Sequence, residues 1–187
     1  MSRPQDEATG TSTLAPGVSD LEDLFREYHP RVYAYVRYRV ADVSEAEDLT
    51  SEILERALTY LASYDAHKGA FSTWLFRIAH NAYVNYVKRQ QRRAPYQVDL
   101  NEGVEDLVAN GPDPEQVLVQ REAKMHLLGC LNTLPARQQE ILTLRFAGQL
   151  TNREIASVLK MNERTVSVYI LRALRKLRQQ LTGGEVE

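Results

Sequence analysis

The most informative part of the chain runs from residue 135 to residue 181: PARQQEILTLRFAGQLTNREIASVLKMNERTVSVYILRALRKLRQQL. Its apolar residues recur at steps of three and four, the period of helices that bury one face. A helix is predicted from Pro135 to Phe146, and Gly148 ends it. Thr151 with Glu154 then forms a capping box at the start of a second, short helix. The segment Lys160-Met161-Asn162 is predicted to be the turn into a longer third helix, so this part of the chain predicts a helix-turn-helix.

The long third helix has two distinct sides. At 100° per residue, one side collects an apolar core stripe, Val166, Ile170, Ala173 and Leu177. The opposite side mixes guanidinium groups with apolar side chains, Arg164, Val168, Leu171, Arg172 and Arg175. Arginine can bond guanine edges or phosphates, and apolar groups can meet thymine methyls, so this side is predicted to read DNA in the major groove. A terminal bundle helix with a basic exterior is the alternative interpretation.

Helical periodicity also covers the N-terminal half of the chain. The first helix contains Pro30, which should kink or interrupt it. Ser44 with Glu47 predicts a capping box at the start of the second helix. A third helix is expected from about Ser72 to Gln91, and no segment alternates with the period of a strand.

These patterns predict an all-α fold of two small helical domains joined by a flexible acidic linker. Residues 1–19 are polar and without periodicity, which is typical of a disordered tail. The first lobe spans residues 20–93, the linker 94–111 and the second lobe 112–182, beginning with a helix at Asp113-Pro114; residues 183–187 form a second tail. Fully extended, the linker could reach roughly 60 Å.

Charge is distributed unevenly along a chain whose formal net charge is only −2. Residues 97–122 hold seven acidic residues and one basic residue, whereas residues 123–187 hold ten basic and five acidic ones. Such asymmetry indicates different partners for different segments.

Composition excludes several classes of protein. Apolar residues make up 43% and charged residues 26%, and no apolar run approaches the ~20 residues that a transmembrane helix needs. The N-terminus lacks the apolar core of a signal peptide, so we expect a cytoplasmic protein without membrane insertion. His126 and Cys130 lie four residues apart on one helix but are too few for a structural zinc site. Neither a catalytic site nor a metal or other cofactor is therefore expected.

Several motifs, in this order, resemble those of bacterial sigma factors of the extracytoplasmic-function class. Leu134–Glu140, Asn152–Ala156 and Arg164–Val166 resemble that family's region four, and Tyr28–Tyr33, Ala46–Glu52 and Trp74–Asn81 resemble its region two. The resemblance covers about residues 20–182. It implies a non-enzymatic subunit that binds core RNA polymerase, recognises two promoter elements and helps to open the duplex.

The resemblance also implies roles for particular residues. In the second lobe, Thr165 and Ser167 join the DNA-reading side described above as contacts to the upstream, minus-thirty-five element. Four carboxylates on the second helix form one acidic face that would dock on the clamp of the largest polymerase subunit, Glu45, Asp48, Glu52 and Glu55. A solvated helix face explains the same spacing and stays open as an alternative. The flap of the second-largest subunit and an anti-sigma factor are further partners expected by analogy.

A second set of candidate DNA contacts lies on the third helix and the loop before it. Residues spaced by three or four form one polar face, Arg77, Asn81, Asn85, Lys88 and Arg92, in which amides can read base edges and cations can hold phosphates. The loop contributes His67, Lys68 and Phe71, where family members hold a flipped base of the minus-ten element. Phe71 and Trp74 could instead belong to the core.

Two other function classes compete with this interpretation. A free-standing helix-turn-helix regulator explains residues 131–181 but leaves the first lobe without a purpose, and an adaptor that binds only proteins leaves the basic face unused. The sequence also departs from the family pattern, since Lys160 and Arg164 stand where relatives often have glycine, and Ser167 and Tyr169 where they often have basic residues. These departures remove possible phosphate contacts, so weak DNA binding by the isolated second lobe is expected.

Overall fold

The computed structural model describes residues 18–93 and 126–182, except for the side chains of residues 18–22 and 93. These ranges contain helices, turns and short connections and no β-strand, which confirms the predicted all-α fold. Within them, no helix is both long and apolar enough to cross a bilayer. The tail predicted at residues 1–19 is two residues too long, because Val18 and Ser19 already belong to a helix. Residues 1–17, the predicted tail at 183–187, the linker and the start of the helix at Asp113 lie outside the described residues.

The first lobe consists of three long helices, α1 (Val18–Arg37), α2 (Val43–Tyr60) and α3 (Phe71–Arg93). Two 3-10 turns, Leu61–Ser63 and Ala66–Lys68, connect α2 to α3. Of the two outcomes expected at Pro30, a kink or an interruption, the interruption does not occur, because α1 continues through this residue. Because Pro30 is exposed, the carbonyl that loses its helical partner one turn earlier can bond water instead.

The predicted capping box at Ser44 is wrong. The cap of α2 is Asp42, whose Oδ1 accepts a hydrogen bond from the backbone N–H of Glu45 at 2.8 Å. Asp42 has the extended backbone (φ −76°, ψ 131°) that an N-cap requires, and its carboxylate satisfies the free N–H as a serine hydroxyl would. The helix therefore begins one residue before Ser44, and its apolar residues Leu49, Ile53 and Ala57 are buried.

The second lobe contains a helix at residues 126–132 (α4), followed by α5 (Ala136–Phe146), α6 (Asn152–Leu159) and α7 (Glu163–Thr182). The capping box at the start of α6 is present as predicted. Thr151 Oγ1 accepts from the N–H of Glu154 at 3.3 Å, and Glu154 Oε2 accepts from the N–H of Thr151 at 2.8 Å. The helix-turn-helix of the second lobe is thus formed by α6 and α7.

The turn between α6 and α7 contains a residue in the left-handed backbone conformation. Lys160 ends α6 at φ 52° and ψ 48°, and its N–H bonds the carbonyl of Ala156. Asn162 Oδ1 then accepts from the backbone N–H of Arg164 at 2.9 Å and fixes the start of α7. Lys160 occupies the turn position where relatives often have glycine, and its positive φ explains why glycine suits that position.

The two lobes pack against each other instead of standing apart. Helix α3 of the first lobe lies against α6 of the second, and one hydrophobic core includes residues of both. Phe76 of α3 is fully buried, and the Cβ of any residue replacing Gly148 would come within 3.0–3.2 Å of its ring. Arg31 of α1 donates to the carbonyl of Gly148 at 2.6 Å. We call this packing of α1 and α3 on α5 and α6 the closed arrangement.

Candidate nucleic-acid and polymerase interfaces

The predicted DNA-reading side of α7 faces solvent. Val166 and Ala173 are fully buried on the opposite side, whereas Leu171 is 65% exposed and Val168 39%. The polar members of the reading side are exposed as well, Arg164, Thr165, Arg172 and Arg175. Exposed leucine and valine among arginines are unusual on a merely hydrated helix but suit a groove that offers both phosphates and thymine methyls.

Ser167 differs from the other residues of this side because its hydroxyl is already hydrogen-bonded. It accepts from Asn152 Nδ2 at 3.0 Å and donates to the carbonyl of Glu163 at 3.2 Å. The first of these bonds joins α6 to α7. Ser167 therefore helps to set the angle between the two helices of the motif.

The polar face predicted on α3 is exposed along its whole length, from Arg77 through Asn81, Asn85 and Lys88 to Arg92. Its first residue is nevertheless engaged, because Arg77 Nη2 donates to Ser157 Oγ of α6 at 3.0 Å. The other four make no hydrogen bond to the second lobe within the described ranges. Asn81 and Asn85 thus keep their amides available for base edges.

The loop before α3 is held by its own polar contacts. Asp65 Oδ1 accepts from the backbone N–H of His67 at 3.0 Å, and its other oxygen pairs with Lys68 Nζ at 3.1 Å. The contact with Lys68, and then that with His67, lowers the pKa of the Asp65 carboxyl. Both basic side chains remain exposed.

Phe71 lies in a cluster of aromatic rings. Its ring meets Tyr28 edge-on at 5.1 Å and Tyr64 edge-on at 5.3 Å, and it tilts against Trp74 at 5.4 Å. Phe71 is half-buried and packs on the first lobe's core, as does Trp74. These ring contacts favour the core role that the sequence left open, and they leave His67 and Lys68 as the exposed groups of the loop.

The four carboxylates of the acidic face on α2 have two different environments. Glu45 accepts hydrogen bonds from the Tyr86 hydroxyl and from Gln90 Nε2 on α3. Glu52 pairs with Arg56 at 2.6 Å and with Arg89 at 3.1 Å. Burial, and then the bond to Glu45, raises the pKa of the Tyr86 phenol to about 12. These two carboxylates tie α2 to α3.

Asp48 and Glu55, the other two members of the acidic face, are exposed and make no ion pair within the described residues. Their charges are therefore open to a basic partner. The acidic face thus combines two exposed carboxylates with two that hold the helix in position.

Sequence reasoning missed the cluster that joins the lobes, which centres on Glu140. This α5 carboxylate is only 6% exposed, and its Oε1 lies 2.7 Å from His80 Nδ1 of α3 and 3.4 Å from Arg39 Nη2 of the first lobe. Its Oε2 accepts from Arg137 at 3.0 Å. The guanidinium carbon of Arg39 also lies 3.5 Å from the centre of the Tyr83 ring.

The charges around Glu140 decide its protonation. Burial alone would raise the pKa of the Glu140 carboxyl, but the hydrogen bond with His80 and the charges of Arg39 and Arg137 outweigh burial and lower it. The carboxylate is therefore ionised inside the contact between the lobes. A second such contact joins Glu154 of α6 to the hydroxyls of Ser72 and Thr73 at the start of α3.

A groove of about 970 Å³ opens between α1 and the second lobe. Its second-lobe wall is mostly apolar, Leu127, Leu131, Leu142, Phe146, Leu174 and Leu181. Phe146 is 63% exposed there, and Tyr38 of α1, on the opposite wall, is 41% exposed. Several exposed apolar side chains grouped along one groove are typical of a protein-binding site.

The described ranges contain no cluster of histidine, cysteine or acidic residues able to hold a metal ion. His126 is exposed and Cys130 is buried, so the two side chains of α4 lie in different environments.

Two family descriptions match separate parts of the chain. Residues 24–93 match Sigma-70 region 2, and residues 124–177 match Sigma-70, region 4. The first match includes the polar face of α3 and the acidic face of α2, and the second includes the helix-turn-helix. A free-standing helix-turn-helix regulator accounts only for the second match, so it is not favoured.

Curated relatives and a solved structure agree with these matches. The chain is 29% identical to the RNA polymerase sigma factor YlaC of Bacillus subtilis, over 89% of this chain and 95% of the relative. It is 30% identical to the ECF RNA polymerase sigma factor SigE of Mycolicibacterium smegmatis, over 98% of this chain and 72% of the relative.

The fold resembles that of the sigma factor RpoE from Bartonella quintana, solved in complex with the anti-sigma factor NepR. The TM-score is 0.71 at 20% identity, over 88% of this chain and 98% of that one. The chain belongs to the extracytoplasmic-function sigma factors, the subunits that direct RNA polymerase to promoters.

Proposed function

We propose that this sigma factor binds the upstream promoter element with α7 and the minus-ten element with α3 and the loop before it, while the acidic face of α2 holds core polymerase. The observation that carries the proposal is the exposure of all three faces on helices within or overlapping the two matched regions. The chain needs to catalyse no reaction, because promoter recognition and strand opening both depend on binding alone.

Upstream recognition is assigned to the exposed side of α7. Arg172 lies between Arg164 and Arg175 and is our first candidate for a bidentate contact with guanine, with the other two arginines on phosphates or further bases. Val168 and Leu171 suit thymine methyls. Thr165 can bond a phosphate, whereas Ser167 acts mainly through its bond to Asn152.

Strand opening is assigned to α3 and its loop. Asn81 and Asn85 can bond base edges, and Arg77, Lys88 and Arg92 can hold phosphates. His67 and Lys68 are the loop groups that would meet an unpaired base, with Phe71 supporting them from the core. A protein without an energy source can melt DNA only by binding the single strand better than the duplex, which such contacts achieve.

Two surfaces of the chain are assigned to the binding of core polymerase. Asp48 and Glu55 supply the charge that would meet basic groups on the clamp of the largest subunit, and Glu45 and Glu52 keep α2 in place on α3. The apolar wall formed by Phe146, Leu174 and Leu181 suits an apolar segment such as the flap of the second-largest subunit.

Two further assignments follow from family membership. A subunit of bacterial RNA polymerase works in the bacterial cytoplasm. An anti-sigma factor is the expected regulator, in line with the solved relative that carries one.

The acidic face is tested by charge reversal. We expect Asp48→Arg with Glu55→Arg to weaken the binding of core polymerase at least tenfold, because like charges would then face each other. The measurement is a fluorescence titration of the labelled chain with core polymerase. Glu47→Arg is the matched control, because Glu47 is exposed on another side of α2 and should leave the affinity unchanged. An unaltered affinity of the double variant would overturn the assignment.

A further inference from the structure

The reading side of α7 lies between two polar attachments to the rest of the second lobe. In the N-terminal half of α7, Ser167 Oγ accepts a hydrogen bond from Asn152 Nδ2 of α6 at 3.0 Å. In the C-terminal half, Lys176 Nζ donates to the carbonyl of Thr133 at 2.8 Å, and Gln180 Nε2 donates to Thr133 Oγ1 at 2.8 Å. Four residues of the reading side lie between these attachments, Val168, Leu171, Arg172 and Arg175.

The attachments supply a restraint that the apolar core does not. Val166 and Ala173 are fully buried and Leu177 is 7% exposed, so the core determines which side of α7 faces inward. Apolar burial is non-directional and therefore tolerates small tilts of the helix. Hydrogen bonds require a defined distance and angle, so the two attachments also fix the tilt of α7. This matters for DNA reading, because a binding constellation must be held within about 0.5 Å of its productive geometry.

Local sequence makes Asn152 available for its attachment. Asn152 is the first residue of α6, and the capping box of Thr151 and Glu154 already closes the start of that helix. The Asn152 side chain can therefore reach across to α7. Ser167 donates its own proton to the carbonyl of Glu163 at 3.2 Å, which leaves its oxygen to accept from Asn152. Both side chains are half-buried, and each uses the other as a partner.

We propose that Asn152 is a positioning residue for upstream recognition, which acts through Ser167 to hold the N-terminal half of α7 at the tilt that DNA reading requires. The inference rests on the proposed function, since the binding of the upstream element by α7 is itself a proposal. Without Asn152, α7 remains attached at Thr133 and can pivot about that end. Ser167 lies about 13 Å from Lys176 along the helix axis, at 1.5 Å per residue. Val168, beside Ser167, is therefore displaced more than Arg175, beside Lys176.

The test compares promoters that differ by one base pair. Reconstituted holoenzyme is titrated with a promoter that it transcribes and with versions that carry single substitutions in the upstream element, and the ratio of the two affinities is the upstream preference. Asn152→Ala should reduce this preference about fivefold at the most affected base pair, the lower end of what one specific base contact is worth. Partial unfolding would weaken binding to every promoter alike. Weaker binding with an unchanged preference would therefore overturn the positioning role.

Ser167 provides the partner variants. Ser167→Ala should cause the same loss of preference, and the double variant with Asn152→Ala should lose no more than either single one, because both remove one bond. Additive losses would indicate two independent DNA contacts and would overturn the proposal. Ser167→Thr keeps the hydroxyl and should keep the preference. Asn132→Ala is the matched control, since Asn132 is exposed on α4 and its side chain takes part in neither attachment.

The outcomes separate this inference from the proposed function. If the original holoenzyme shows no upstream preference, the proposed role of α7 fails. If Arg172→Ala reduces the preference while Asn152→Ala and Ser167→Ala both keep it, the proposed function stands and the positioning role is overturned. Thermal melting identifies any unfolding by Asn152→Ala. In that case Ser167→Ala decides, because alanine is favourable inside a helix.

Discussion

The two helices assigned to DNA, α7 and α3, differ in how much of their reading surface is open. On α7, Leu171 and the three arginines face solvent, and the reading side touches another helix through Ser167, which bonds Asn152 of the same lobe. On α3, Arg77 is bonded to the second lobe, and buried Phe76 beside it packs under Gly148. The reading surface of α7 is therefore free of the other lobe, while the first residue of the α3 surface is bonded to the lobe that carries α7.

The largest expected effect comes from removing the side chain of Phe76, which packs against Gly148 of the second lobe. Phe76→Ala should lower the free energy of unfolding by about 3–5 kcal/mol, because it empties a fully buried position shared by both lobes. Chemical denaturation measures the change. Phe146→Ala makes the same substitution at a 63% exposed position and should stay within ~0.5 kcal/mol. Equal losses at the two positions would mean that Phe76 is not a core residue.

The open surface of α7 is tested by Arg172→Ala. Recognition of the upstream element should weaken by ~1–3 kcal/mol, the cost of losing a bidentate contact to a base. Footprinting of the reconstituted holoenzyme on a promoter that it transcribes measures this loss. Arg178→Ala, which removes an exposed α7 arginine that lines the groove between α1 and the second lobe, should leave the upstream footprint intact. Full upstream protection by the Arg172 variant would remove Arg172 from the recognition surface.

A smaller effect is expected at the turn that aims α7. Lys160→Gly should raise the free energy of unfolding by about 1 kcal/mol, because a side chain at φ 52° pays a steric cost that glycine avoids. Lys160→Ala is the control, since alanine keeps the Cβ and should bring no such gain. Thermal melting distinguishes the two variants, and a destabilised glycine variant would contradict the strain.

The smallest effect concerns Glu154 of α6, whose carboxylate bonds Ser72 and Thr73 of α3. Burial alone would raise the pKa of Glu154, but hydrogen bonds from Ser72, Thr151 and Thr73 lower it. A carboxyl whose pKa is lowered by folding stabilises the folded chain above its unfolded pKa of about 4.3, and this contribution is lost as the pH falls through the folded value. Denaturation between pH 3 and pH 7 should show a smaller pH-dependent loss for Glu154→Gln than for the original chain. Equal slopes would refute this role.

Local signals predicted much of this fold because they depend on neighbours in the chain. The capping box of Thr151 and Glu154, the turn at Lys160 and the buried stripe of α7 are all contained within one or two helical turns. The cap of α2 was misplaced because Asp42 and Ser44 both suit an N-cap, and only the backbone conformation decides between them.

The contact between the lobes could not be predicted in the same way. Glu140 is 60 residues from His80 and 101 from Arg39, so no local spacing relates them. The available signal was the apolar residues Phe76, Ala79 and Tyr83 of α3, which widen the apolar surface beyond Leu75 and Ala82. A helix that is apolar over so much of its surface must pack against more than one neighbour. The assigned DNA and polymerase contacts remain predictions, because they depend on partners that lie outside the chain.

Run-off transcription tests the central claim most directly. Bacterial core polymerase is incubated with a library of genomic promoter fragments, with and without this chain, and the transcripts are sequenced. We expect defined start sites only when the chain is present, and their loss with Asp48→Arg and Glu55→Arg together. Transcripts that do not depend on the chain, or site-specific duplex binding by the chain without polymerase, would contradict its action as a promoter-recognition subunit.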